Sequence, residues 1–244
     1  MKVLVLMAGN NPDDIDGSYP FYMTEINGKM ILEHHIEYYN NFKPTQIIFC
    51  LKQEDIKRYH VDHVIKQCTE NAVFVSVNGK TAGSVCTALL ACEHIINDEE
   101  LVIVAINDSI DKEGLEILNK FRNKKADAGV VSFKSVHPRY SFIVTDDDHF
   151  VSEVAEKQPI SKQALASFYY FKSGKDFVDA AKQVIRKDNK INNSFYISQT
   201  LNELILKQKK IDVFSIPNEM FHPVKSEIQL AQYISNLNDV KESK

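Results

Sequence analysis

Four places in this sequence set chemically capable side chains where a strand of an α/β protein would end. The first is Ala8-Gly9-Asn10, which closes an apolar run at 2–7 and opens a long segment to Gly28. In open α/β sheets ligands bind beyond the carboxyl ends of the strands. A loop there can offer backbone N–H groups to a phosphate. This loop has no Lys or Arg between Lys2 and Lys29, and it carries Asp13, Asp14, Asp16 and Glu25. A triphosphate would meet negative charge unless a metal intervened, and a solvated surface loop explains the same composition. The second place is Asn107-Asp108, after the run 101–105. An acid ending a central strand could hold Mg²⁺ beside a ligand's phosphates. The spacing alone favours a plainer role, with Asp108 or Asp111 capping the next helix. The third is Thr81-Ala82-Gly83-Ser84, where Gly83 would admit a ligand to a helix N-terminus, or simply form a turn and cap. The fourth is Glu156-Lys157, able to bind hydroxyls and a phosphate, although such pairs are more often surface ion pairs.

Other clusters carry less. Asp146-Asp147-Asp148 reads as a hairpin tip, and His34, His35, His60 and His63 form no convincing zinc-ligand set. Cys50, Cys68, Cys86 and Cys92 contain no C-x-x-C pair, which argues against zinc and against a disulfide framework. Reduced, buried thiols are the expectation. The formal charge of -4 gives no sign of a general nucleic-acid binder, which would usually show a basic face or stripe. No apolar stretch approaches the ~20 residues of a membrane span. The run 2–7 is followed at once by Asn10-Asn11-Pro12-Asp13-Asp14, so it reads as a buried strand and not a targeting segment. The expected compartment is the cytoplasm.

The elements that would position these residues alternate. Strand patterns fall at 2–7, 46–51, 72–77, 101–105 and 128–133, and helical patterns at 29–39, 54–68, 84–96 and 115–122. That order predicts a mostly parallel sheet with helical crossovers. The second half adds a hairpin at 140–145 and 150–155, strands at 166–171 and 211–216, and helices at 174–187, 195–207 and 225–237. We expect one mixed α/β sheet in a single domain over 1–244, with 1–135 as a nucleotide-binding half and 136–244 as an acceptor half.

Several strings together resemble a known family: VLVLMAG (3–9), EINGKMILEHHIE (25–37), TAGSVCTALLA (81–91), AINDSID (105–111), FKSVHPRYSF (133–142), VSEVAEKQPIS (151–161), YYFKSGKDF (169–177) and NNSFYIS (192–198). The chain resembles, almost end to end, the bacterial sugar-phosphate nucleotidyltransferase-like proteins of capsular and lipopolysaccharide synthesis, often labelled family 2 glycosyltransferases. The resemblance implies a nucleotide-diphospho-sugar transferase fold (GT-A-like, Rossmann-like). It implies a transferase making an NDP-sugar and pyrophosphate from NTP and a sugar or alcohol phosphate. Asp108 would hold Mg²⁺, and Asp108 and Lys157 would be the catalytic groups. Ala8, Gly9, Asn10 and Gly83 would bind the nucleotide, and Glu156 and Lys157 the acceptor. A glycosyltransferase using an NDP-sugar, or a non-catalytic binding partner, fits the same fold, and self-association is left open.

The chain also departs from the family pattern. The first loop has Asn11 for a glycine, Asp13 for an arginine and Phe21 for a lysine; Ser167 replaces a glycine and Ser194 an acid. The late segment that supplies a metal acid reads Phe221-His222-Pro223-Val224-Lys225. Losing two charge-assisted contacts removes about 3–6 kcal/mol.

Overall fold

A computed structural model describes residues 1–9, 19–224 and 226–242. The chain opens with β1 (Lys2–Leu6). Next come a ribbon, β2 (Glu25–Ile26) and β3 (Lys29–Met30), and α1 (Ile31–Asn40). Asn27 and Gly28 both take positive φ in the ribbon's turn, the backbone an Asn-Gly hairpin needs. The helix expected from 29 therefore starts at Ile31, where the Glu33 carboxylate accepts the Met30 N–H at 2.7 Å. Then follow β4 (Gln46–Lys52), α2 (Gln53–Tyr59), α3 (Val61–Cys68) and β5 (Ala72–Val77). The single helix expected over 54–68 is two, because His60 adopts the left-handed region at φ 52°. The small-residue helix divides as well, into α4 (Ser84–Leu89) and α5 (Cys92–Ile95).

The next strands are β6 (Leu101–Ala105) and β7 (Asp108–Ile110), followed by α6 (Gly114–Asn123). Asp108 and Asp111 are thus not caps: Asp108 begins a strand, and Glu113 precedes the helix. The second half comprises β8 (Ala128–Lys134), β9 (Ser141–Thr145), β10 (Val151–Glu156), β11 (Gln163–Phe171), α7 (Gly174–Arg186), α8 (Ile197–Leu206), β12 (Ile211–Ser215), β13 (Phe221–Pro223) and α9 (Glu227–Glu242). Sequence patterning did not anticipate β13, which pairs antiparallel with β7 and sets Pro223 opposite Asp108.

Nine strands form one mixed sheet. β5, β4, β1 and β6 run parallel side by side; β11 is antiparallel to β6 and to β8, and β12 runs parallel to β8. The β9–β10 hairpin joins β11 through Ala164 and Phe142. Successive residues of β1 face opposite layers, as the strand period requires. Val3 and Val5 pack under α1, α3 and α6, while Leu4 packs under α4, α7 and α8. The chain moves outward from β1 to β4 and β5, then returns to β6 on the other side of β1. The crevice between β1 and β6 is therefore a topological switch point, where ligands bind beyond the strands' carboxyl ends.

Candidate functional site

β1 and β6 lie in register, with Leu6 opposite Ala105, so their carboxyl ends open on one cleft. Ala8 and Gly9 follow β1 and line a compartment of about 390 Å³ with Phe21, Lys80, Gly83 and Asn107. Asn10, Asp13, Asp14 and Asp16 lie outside the described residues. Gly83 sits at φ 111°, a conformation L side chains rarely adopt. A Cβ there would stand 2.4 Å from the Phe195 carbonyl oxygen. The close approach is fixed by backbone bonds: Phe195 N–H donates to the Ala82 carbonyl at 2.8 Å, and Val85 N–H to the Phe195 carbonyl at 3.1 Å. Ile197 N–H adds a bond to the Ser84 hydroxyl at 3.1 Å. Two of the resembling strings, at 81–91 and 192–198, are thereby stapled into one wall.

A second compartment, about 170 Å³, shares Leu6, Ser84 and Ala105 with the first. Glu156 ends β10 and is buried. Its Oε2 accepts hydroxyl hydrogens from Ser141 and, at 2.6 Å, from Ser198. Burial, reinforced by the Glu156 charge, raises the pKa of the neighbouring Tyr169 phenol. Lys157 follows in the left-handed region at φ 56°. Its Nζ donates to the Tyr196 hydroxyl at 2.7 Å and lies 4.7 Å from that ring's centre. The Glu156-Lys157 pair is not a surface ion pair; each charge is engaged by a different partner. Arg139 lines the same compartment. The sequence reading missed Arg139, Ser141, Tyr196 and Ser198. All lie inside quoted strings, but only the fold shows which of their side chains converge.

Asp108 stands apart. Its neighbour Asn107 lines the first compartment, whereas Asp108 borders a cavity of about 650 Å³ between α1 and the segment leading to α6. Asp108 is buried, and its Oδ2 accepts the Ser167 N–H at 3.3 Å. Ser167 and Val104 line both that cavity and the smaller compartment, so Asp108 stands behind their shared wall. The strand opposite it, β13, contributes no second acid. Among the described residues no group of three or more His, Cys, Asp or Glu could hold a metal ion. A single buried carboxylate does not fit a resident metal, and its place behind that wall does not bring it to the phosphates of a ligand in the two compartments. Nor is any described helix long and apolar enough to cross a membrane.

No protein-family model matches the chain, and no curated protein matches it in sequence. Solved structures do match in shape. A nucleoside-diphosphate-sugar pyrophosphorylase from Vibrio cholerae RC9 superposes with a TM-score of 0.80 at 18% identity, covering 96% of this chain and 99% of that one. A UDP-glucose pyrophosphorylase complexed with UDP-glucose gives 0.76 at 14% identity, covering 98% and 99%. HddC from Yersinia pseudotuberculosis complexed with GMP-PN gives 0.66 at 17% identity, covering 97% and 100%. At these identities the likeness establishes architecture: this chain has the mixed, mostly parallel α/β fold of the nucleotide-diphospho-sugar pyrophosphorylases.

Proposed function

We propose that this chain transfers a nucleotidyl group from an NTP to a phosphorylated acceptor, releasing pyrophosphate, in the synthesis of a surface polysaccharide. One observation carries the reading: two compartments meet at the β1–β6 switch point, and the smaller holds a buried carboxylate beside a lysine. The larger is lined mainly from 6–107 and the smaller mainly from 139–198, which fits a nucleotide half and an acceptor half. Nucleotide-bound and nucleotide-sugar-bound relatives of the same fold support it.

In this reading Ala8 and Gly9 let the nucleotide approach the backbone, while Gly83, pressed against Phe195, shapes the compartment wall. Lys157 meets the acceptor phosphate and Glu156 takes an acceptor hydroxyl. An acceptor phosphate oxygen attacks the α-phosphorus; the new P–O bond forms as the bond to pyrophosphate breaks. The chain contributes positioning and electrostatics. An ion carried by the phosphates would neutralise their charge; Asp108, behind the Val104–Ser167 wall, would add its field from there without ligating the ion. The test is pyrophosphate release from each NTP with a panel of phosphate esters; no release with any pair overturns the proposal.

A second reading, glycosyl transfer from an NDP-sugar, is favoured by the composition of the nucleotide compartment. Phe21 lines it where the resemblance places a lysine, and among the described residues Lys80 is its one Lys or Arg. Release of nucleoside diphosphate without pyrophosphate would select that reading.

A further inference from the structure

We infer that the acceptor is the phosphate ester of a small acyclic alcohol, of glycerol size, and not a hexose phosphate. The inference rests on the acceptor role of the Glu156–Lys157 compartment.

That compartment holds about 170 Å³, against 390 Å³ for its neighbour. Pockets for drug-sized ligands span roughly 300–1,000 Å³. Ser141 and Ser198 both place their hydroxyls on Glu156 Oε2. A carboxylate that would grip two adjacent ring hydroxyls with one oxygen each thus has Oε2 committed and keeps only Oε1 for the ligand. Displacing the serines would strand buried hydroxyls, since Ser141 is 9% and Ser198 1% exposed. Leaving a buried hydroxyl unpaired costs roughly tenfold or more in affinity.

Ser167 also lines the compartment, at a position where the resemblance places a glycine. Its N–H is already engaged by Asp108 at 3.3 Å and is not open to a ring hydroxyl. The charges that remain suit a compact phosphate monoester. Arg139 and Lys157 line the compartment against the one carboxylate of Glu156. A phosphate dianion with one or two hydroxyls matches that set.

Calorimetric titration, with the nucleotide compartment saturated by a non-hydrolysable NTP analogue, tests this. The probes are glycerol 3-phosphate, glucose 1-phosphate and inorganic phosphate, against the natural chain and a Ser141→Gly/Ser167→Gly variant. The natural chain should bind glycerol 3-phosphate at least tenfold tighter than glucose 1-phosphate. The variant should move that ratio at least tenfold toward the hexose; if a melting curve shows it unfolded, the natural chain's ratio decides alone. Glucose 1-phosphate binding as tightly as glycerol 3-phosphate overturns the size inference and leaves the acceptor reading standing. No binding of either ester, with an NDP-sugar bound instead, overturns the acceptor reading and the inference with it.

Discussion

Lys157 has its ammonium fixed by the Tyr196 hydroxyl and ring before any ligand arrives. A charge-assisted hydrogen bond contributes about 1.5–3 kcal/mol. Lys157→Met, which keeps the aliphatic stem against Tyr196, should therefore lower kcat/KM for the phosphorylated acceptor about 10- to 100-fold. Binding of the nucleotide alone should hardly change, and an equal loss in nucleotide affinity would remove Lys157 from the acceptor. Asp108→Asn retains an oxygen for the Ser167 N–H but removes the charge. It should weaken Mg²⁺-dependent enhancement of nucleotide binding, whereas replacing Asp146, Asp147 and Asp148 together should not; thermal shift with and without Mg²⁺ decides between them. His35 gives a pH signature of its own. Its Nδ1 meets the Tyr39 hydroxyl at 3.1 Å, and Nε2 is buried without a partner. Burial, aided by nearby His34, lowers its pKa to about 4. The folded state thus excludes a proton that the unfolded chain accepts near pH 6.5. This contribution is fully present above that pH and is lost as pH falls toward 4. Between pH 7 and pH 5 it amounts to about 2 kcal/mol. Urea unfolding at both pH values should show His35→Gln losing less stability than the natural chain; an equal loss would place the acid sensitivity elsewhere.

The wall formed by α4 and the start of α8 is an element-scale device. Gly83 precedes α4 at a backbone angle suited to glycine, pressed against Phe195, and three hydrogen bonds tie 82–85 to 195–197. Gly83→Ala forces either the α4 terminus or the 194–197 segment to move, since the blocking atoms belong to backbone. We expect a loss of about 3 kcal/mol in urea unfolding, from combined strain and overpacking. Nucleotide affinity should fall as well. Ser84→Ala removes one side-chain bond and should cost about 1 kcal/mol. If Gly83→Ala were as mild as Ser84→Ala, the close approach would not be holding the wall.

Across the whole molecule the sheet ignores the division suggested by function. β8 lies in the first half by sequence, yet both of its partners, β11 and β12, come from the second. β11 also covers the free side of β6. A fragment of residues 1–135 would present unpaired edges on β6 and β8, a liability that favours association. Expressed alone, it should lack dispersed amide resonances and aggregate, and the intact chain should unfold in one calorimetric transition. A well-folded fragment would show that the halves are independent.

The sequence by itself determined the layers. Apolar runs such as 101–105 and 128–133 are short and nearly continuous, because strands buried on both faces have no polar face to show. The alternation of such runs with helical spacing gave the mostly parallel core, and the strand ends gave Gly9, Gly83 and Glu156-Lys157 as places to look. Other features needed the tertiary structure. The break at His60 depends on one residue's backbone angle, which composition does not encode. The pairing of β7 with β13 joins segments more than a hundred residues apart, so Asp108 read locally as a cap and is instead a strand residue. The sheet also decided how Glu156 is used. Ser141 and Ser198 lie 15 and 42 residues from it in sequence, and only the meeting of β9, β10 and α8 puts both hydroxyls on one carboxylate oxygen. Local propensity reflects neighbours along the chain, whereas a binding compartment is set by neighbours across it.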